Sequence, residues 1–187
     1  MKKNILWFFG FSLIITIVFT MVLEAQDKPA QYIGADKCKM CHKNKARGDQ
    51  FGKWQSGPHM KAYATLATDE AKEVAKKAGV EGNPQEAAEC LKCHVTAYSA
   101  PAETKAESYS LEEGVSCEAC HGPGSLYKSM KVMKALRDGS QNPKEVAFLK
   151  ANKETCLVCH NEKSPTYKPF NFEERFKAIA HPIPAQE

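Results

Sequence analysis

The chain has 187 residues, with 26 Lys and Arg against 22 Asp and Glu, and a formal charge of +4 with histidine neutral. An excess that small gives nucleic-acid recognition no electrostatic footing, and the length corresponds to one domain. Long apolar stretches are few, so a core of polypeptide alone would be thin for this size, and something else must fill the interior.

Met1-Lys2-Lys3-Asn4 is followed by an uncharged run from Ile5 to Leu23. A basic start, an apolar stretch and the small residue Ala25 at the cleavage point read as a secretory signal over residues 1–25. The alternative is an uncleaved anchor, because the run is just long enough to span a bilayer. Only in that case does the chain meet a membrane; an exported, periplasmic protein is expected. Residues 26–33 read as an extended leader and 34–187 as the single domain.

Further along, Thr68 ahead of Asp69-Glu70 predicts a helix that Gly79 stops, with the lysines between 72 and 77 on its solvated face. Asn83-Pro84 with Glu86 supplies an N-cap, a first-turn proline and a capping acid ahead of Cys90. Asn142-Pro143 with Glu145 repeats that arrangement ahead of Cys156. Residues 98–109 are polar and irregular, and Gly122-Pro123-Gly124 is a turn. Ser125 is expected to cap a helix running to about Arg137 and ending before Gly139, with Leu126, Met130 and Met133 on one face. Asn171 starts a helix over 172–180 that Pro182 ends. Strand signals are poor, so the fold expected is all-α, with short helices joined by long loops.

The eight cysteines stand in four pairs, Cys38/Cys41, Cys90/Cys93, Cys117/Cys120 and Cys156/Cys159, and none is left over. Each pair is followed at once by a histidine: His42, His94, His121 and His160. A disulfide framework suits an exported chain but gives no reason for those histidines, and zinc ribbons do not require them either. Cys-x-x-Cys-His is the attachment motif of c-type haem. The two thiols add across porphyrin vinyl groups and the adjacent imidazole reaches the iron. Four haem c groups are therefore expected, closely packed inside the helices. Their propionates bring the net charge slightly below zero. The unequal intervals from Cys38 to Cys90, Cys117 and Cys156 exclude a fixed-period solenoid.

Only His59 and His181 remain to approach four irons from the other side. Methionine is the other usual axial ligand. Met1 and Met21 fall in the signal, Met40 lies inside a motif and Met60 adjoins His59, so Met130 and Met133 are the remaining candidates.

The segments "KCKMCHKNKARGDQFGKWQSGPHMKAYATL", "ECLKCHVTAYS", "GVSCEACHGPG" and "TCLVCHNEKSPTY" resemble the tetrahaem cytochrome c-554 family, from about Gly34 to His181, nearly all of the chain expected after the signal. The resemblance implies a mostly helical periplasmic electron carrier with edge-overlapping haem pairs, three bis-histidine haems and one five-coordinate haem. The open iron would be the one held by Cys90, Cys93 and His94. His59 would serve the haem of His121, and His181 that of His160. One departure stands out: the family's distal histidine for the first haem is absent from the segment Ser125 to Lys134. The first haem (Cys38, Cys41, His42) thereby loses that partner: either Met130 or Met133 takes its place, or both methionines pack against porphyrin and this iron stays open as well.

Electron transfer between redox-partner proteins is the function these residues support best. A rival is a haem enzyme reducing a small nitrogen oxide at the open iron, for which Thr96, Tyr98 and Ser99 are the proton donors at hand. Another is a subunit of a multihaem filament or larger redox complex, in which ligands supplied between subunits would explain the shortage of histidines.

Overall fold

Among residues 29–181, those described by the computed structural model, nine short α-helices and several 3-10 turns follow one another along the chain, with no strand. They are α1 (Asp36–His42), α2 (Gln50–Ser56), α3 (Ala62–Thr65), α4 (Asp69–Lys77), α5 (Ala88–His94), α6 (Cys117–His121), α7 (Met130–Asp138), α8 (Lys153–Leu157) and α9 (Phe172–Ile179). The all-α expectation holds. The signal, its cleavage point at Ala25 and Pro182 lie outside the described residues.

Two helices begin where their caps predict. The Thr68 hydroxyl accepts from the Ala71 amide at 3.2 Å, acids fill the first turn of α4 and lysines its last, which complements the helix dipole. The Asn171 side chain likewise accepts from the Glu174 amide at the start of α9.

Three starts move. The Asn83 side chain accepts from the Gln85 amide and bonds the Glu86 carboxylate, closing a turn; α5 begins only at Ala88, without a side-chain cap. The Asn142 side chain accepts from Lys144 and opens a 3-10 turn, Pro143–Val146, not a helix reaching Cys156. That turn ends at Ala147 (φ 55), and the chain is drawn away as the Leu149 amide donates to the His121 carbonyl at 2.9 Å. The helix carrying Cys156 is started instead by a capping box between Asn152 and Thr155. Ser125 does not cap α7; its hydroxyl accepts from the Gln31 amide at 2.8 Å, and Ser129 caps the helix. Leu126 thus falls in a 3-10 turn, off the face that Met130 and Met133 share.

The core is as thin as composition implied. Leu66, Leu91 and Val95 form a buried cluster with Tyr63, Cys90, Tyr98 and Tyr109 against it. A second centre is polar. Glu118, 2% exposed, accepts from the amides of Ile33 (2.9 Å), Gly34 (2.8 Å) and Gly124 (2.6 Å). It ties the extended stretch before α1 to α6 and to the turn that follows it. Thr96 performs the same service between α5 and α6: its hydroxyl donates to the Gly114 carbonyl and accepts from the Ser116 amide at 2.6 Å.

Candidate haem-binding centre

Each Cys-x-x-Cys-His motif coincides with a helical turn. Cys38, Cys41 and His42 lie on α1, Cys90, Cys93 and His94 on α5, and Cys117, Cys120 and His121 on α6. Cys156 lies on α8, and the Cys159 and His160 amides continue its turn by donating to the Cys156 carbonyl. On a helix, residues three apart share one side, so each pair of thiols faces the same way. All eight are free thiols here, standing for the thioether sulfurs of the haem-bound form.

The motifs meet through these sulfurs. Cys38 lies beside Cys117, Cys93 beside Cys159, and Cys120 acts electrostatically on both Cys156 and Cys159. The shared hydrogen bond with Cys38, and then burial, push the Cys117 thiol well above its ordinary range. Burial, with Cys93 adding to it, pushes Cys159 up to about 12. The first motif therefore neighbours the third, the second neighbours the fourth, and the third and fourth adjoin.

Three motif histidines have one ring nitrogen fixed by an oxygen. His42 Nδ1 is 3.3 Å from Gln50 Oε1, His94 Nδ1 is 2.8 Å from the Ala62 carbonyl, and His121 Nδ1 is 3.2 Å from the Leu149 carbonyl. An oxygen acceptor places the proton on Nδ1 and leaves Nε2 as the ligand atom. His121 stacks on Phe148, with ring centroids 5.6 Å apart, and His160 on Phe170 at 4.7 Å. Burial lowers the pKa of His59, His121, His160 and His181 below the ordinary histidine value. These rings are therefore neutral at neutral pH, the form a metal requires.

The two remaining histidines face motif histidines. The His59 and His160 rings are 6.1 Å apart between centroids, and His121 and His181 are 5.9 Å apart. Two metal–nitrogen bonds of about 2 Å, with a ring radius beyond each, call for this spacing. The residues thus fit an iron between each pair. The rings lie the other way round from the pairing that the resemblance implies: His59 faces the fourth motif and His181 the third. The main chain of His59 is indeed tied to the approach of the third motif, since its carbonyl accepts from the Val115 amide at 3.0 Å and Trp54 Nε1 donates to the Val115 carbonyl. The ring, however, lies against His160. Gly114 (φ 62) makes that approach close, because a Cβ there would stand 2.8 Å from the His59 carbonyl oxygen.

Neither His42 nor His94 makes a ring contact of this kind among the described residues, though His42 lies near enough to act electrostatically on both His121 and His181. Met130 opens α7 and is 54% exposed, whereas Met133, one turn on, is half-buried. Neither takes part in the ring and sulfur contacts that join the motifs. Tyr127, buried just before α7, feels the electrostatic influence of Cys38 and Cys117. Its hydroxyl donates to the Gly122 carbonyl at 2.7 Å, so α7 starts near the meeting point of the first and third motifs. Sequence reasoning did not find Gln50, Glu118 or the carbonyls of Ala62 and Leu149. The carbonyls leave no trace in a sequence, and a glutamate within a motif reads as solvent-exposed by default.

Four attachment motifs on helical turns, three of their imidazoles oriented by oxygen acceptors, are the arrangement of a c-type cytochrome. Residues 37–122 match the family model described as cytochrome c554 and c-prime. The chain is also 30% identical over 152 residues to cytochrome c-554 of Nitrosomonas europaea, an alignment covering 80% of this chain and 57% of that relative. By both comparisons the chain is similar to cytochrome c-554. The chain spans rather more than half the length of that relative. No solved structure matches the chain.

Proposed function

We propose that this protein is a periplasmic electron carrier, passing electrons between redox-partner proteins by way of four covalently attached haem c groups. The observation that carries this reading is the approach of the motifs to one another: Cys38 shares a hydrogen bond with Cys117, Cys93 with Cys159, and Cys120 acts electrostatically on Cys156 and Cys159. Groups anchored at those sulfurs lie close enough to relay electrons. When bound, haem supplies the one-electron chemistry of its iron. The chain's own part is spacing, ligation and exclusion of water.

In this reading the eight cysteines attach the cofactors, and His42, His94, His121 and His160 are the proximal ligands. His59 completes the site of His160, and His181 that of His121. The site of His94 stays open. Thr96, the first along the chain of the proton donors that a reaction there would need, is 4% exposed and its hydroxyl donates to the Gly114 carbonyl. A hydroxyl committed to holding two motifs together favours the carrier over the enzyme.

Mass spectrometry of the exported protein tests the reading. The expected mass is that of a polypeptide beginning at Gln26 plus four haems. Two or three haems, or bound zinc, would overturn it, and an intact Met1 terminus in the membrane fraction would make the protein an anchored cytochrome.

Met130 or Met133 fills the sixth position on the iron of His42. Of the two, Met133 is the better placed, since it is half-buried whereas Met130 is exposed. The expected result is a weak near-infrared band from the ferric protein, lost in Met133→Leu and kept in Met130→Leu. A native protein without the band, and with two high-spin irons, would sink the assignment.

A further inference from the structure

We infer that Gln50 is a positioning residue for the haem of the first motif, setting the basicity of His42 and through it the potential of that iron. The inference rests on the haem reading above. Gln50 is the first residue of α2 and is 9% exposed. Its Nε2 donates to the Arg47 carbonyl at 2.6 Å, and this fixes the amide, because the flipped form would set oxygen against oxygen. Oε1 is therefore the atom 3.3 Å from His42 Nδ1. An amide oxygen only accepts, so the proton sits on Nδ1 and Nε2 keeps its lone pair for a metal.

The backbone beneath Gln50 is held in place. Asp49 adopts a left-handed conformation (φ 42) and its carboxylate accepts from the Gly52 amide at 3.1 Å. Phe51 is buried and packs on Trp54, with ring centroids 5.2 Å apart. His94 and His121 take their acceptor from the main chain, at Ala62 and Leu149. Of these three oriented imidazoles, only that of His42 is held by a side chain. Its acceptor strength is thus written in the sequence.

A stronger acceptor at Nδ1–H makes the imidazole a better electron donor, which favours ferric iron; removing the acceptor does the reverse. A neutral amide lies between the two. Spectroelectrochemical titration of the full haem-loaded protein tests this with Gln50→Leu and Gln50→Glu. The leucine variant is expected to raise one midpoint potential, and the glutamate variant to lower the same one, with the other three held. Shifts of the same sign in both variants would mean loosened packing and would overturn the inference, as would no shift in either. Should one variant fail to acquire haem, the sign of the other decides. Haem counts by mass on the same samples separate the failures. A wild-type protein lacking the first haem overturns the underlying reading, whereas four haems with unmoved potentials overturn only the role of Gln50.

Discussion

Replacing His59 or His181 with alanine is expected to convert one low-spin iron to high spin in each variant, with all four haems still attached. Attachment and ligation are separate here. In the proposed reading the thioether links come from the motif cysteines and the proximal bonds from the motif histidines, so deletion of a distal imidazole opens one position and nothing else. Low-temperature electron paramagnetic resonance of the oxidised protein counts the irons. The centroid separations of 6.1 and 5.9 Å also say which iron changes. His59→Ala should act on the haem of Cys156 and Cys159. In a protein already lacking those two cysteines, it should therefore add no further high-spin signal. An additional signal there would refute the pairing, and an unchanged spin count in both single variants would make these histidines ordinary packing residues.

Glu118→Ala is expected to cost more stability than any surface change. The carboxylate is buried and answers the amides of Ile33, Gly34 and Gly124. Removing it orphans all three. At about 1–3 kcal/mol per unsatisfied buried group, the loss is on the order of 3 kcal/mol or more. In a chain of this size that lowers Tm by roughly 6–12 °C. Glu118→Gln keeps an acceptor and should cost less. If the alanine variant melts with the wild type, the staple is decorative.

The same carboxylate gives stability a pH dependence. Burial raises the pKa of Glu118 and Glu113 above the ordinary value, their backbone hydrogen bonds opposing it. The folded state then holds protons that the unfolded state has released. The contribution is full below the ordinary carboxylate pKa and is lost as pH rises through the folded value. Calorimetry of the haem-loaded protein should show Tm falling as pH climbs from the ordinary carboxylate range toward neutral, with a shallower fall in Glu118→Gln. A Tm that rises over that interval contradicts the assignment.

What could be read in the sequence was what a single residue type dictates locally. The attachment motifs, the all-helical character and the caps at Thr68 and Asn171 needed no knowledge of the rest of the chain. The misplaced starts share a cause. Asn83, Asn142 and Ser125 are good capping residues, but each found a different partner, and for Ser125 and the stretch after Asn142 that partner lay far along the chain. Which rings face one another was illegible for another reason. The main chain of His59 belongs to the approach of the third motif while its ring belongs to the fourth, and spacing cannot separate the two. Gln50 and Glu118 carry no pattern, because what matters about them is burial.

The close approach of Cys38 to Cys117, and of Cys93 to Cys159, bears on how the molecule is made. A chain that reached this fold in an oxidising compartment before receiving its cofactors would stand one oxidation step from cross-links between different motifs. Each such bond would strip an anchoring sulfur from two haems at once, and the error would be sealed inside the fold. Assembly therefore has an order: the cofactors must be installed, or the thiols kept reduced, before the motifs come together.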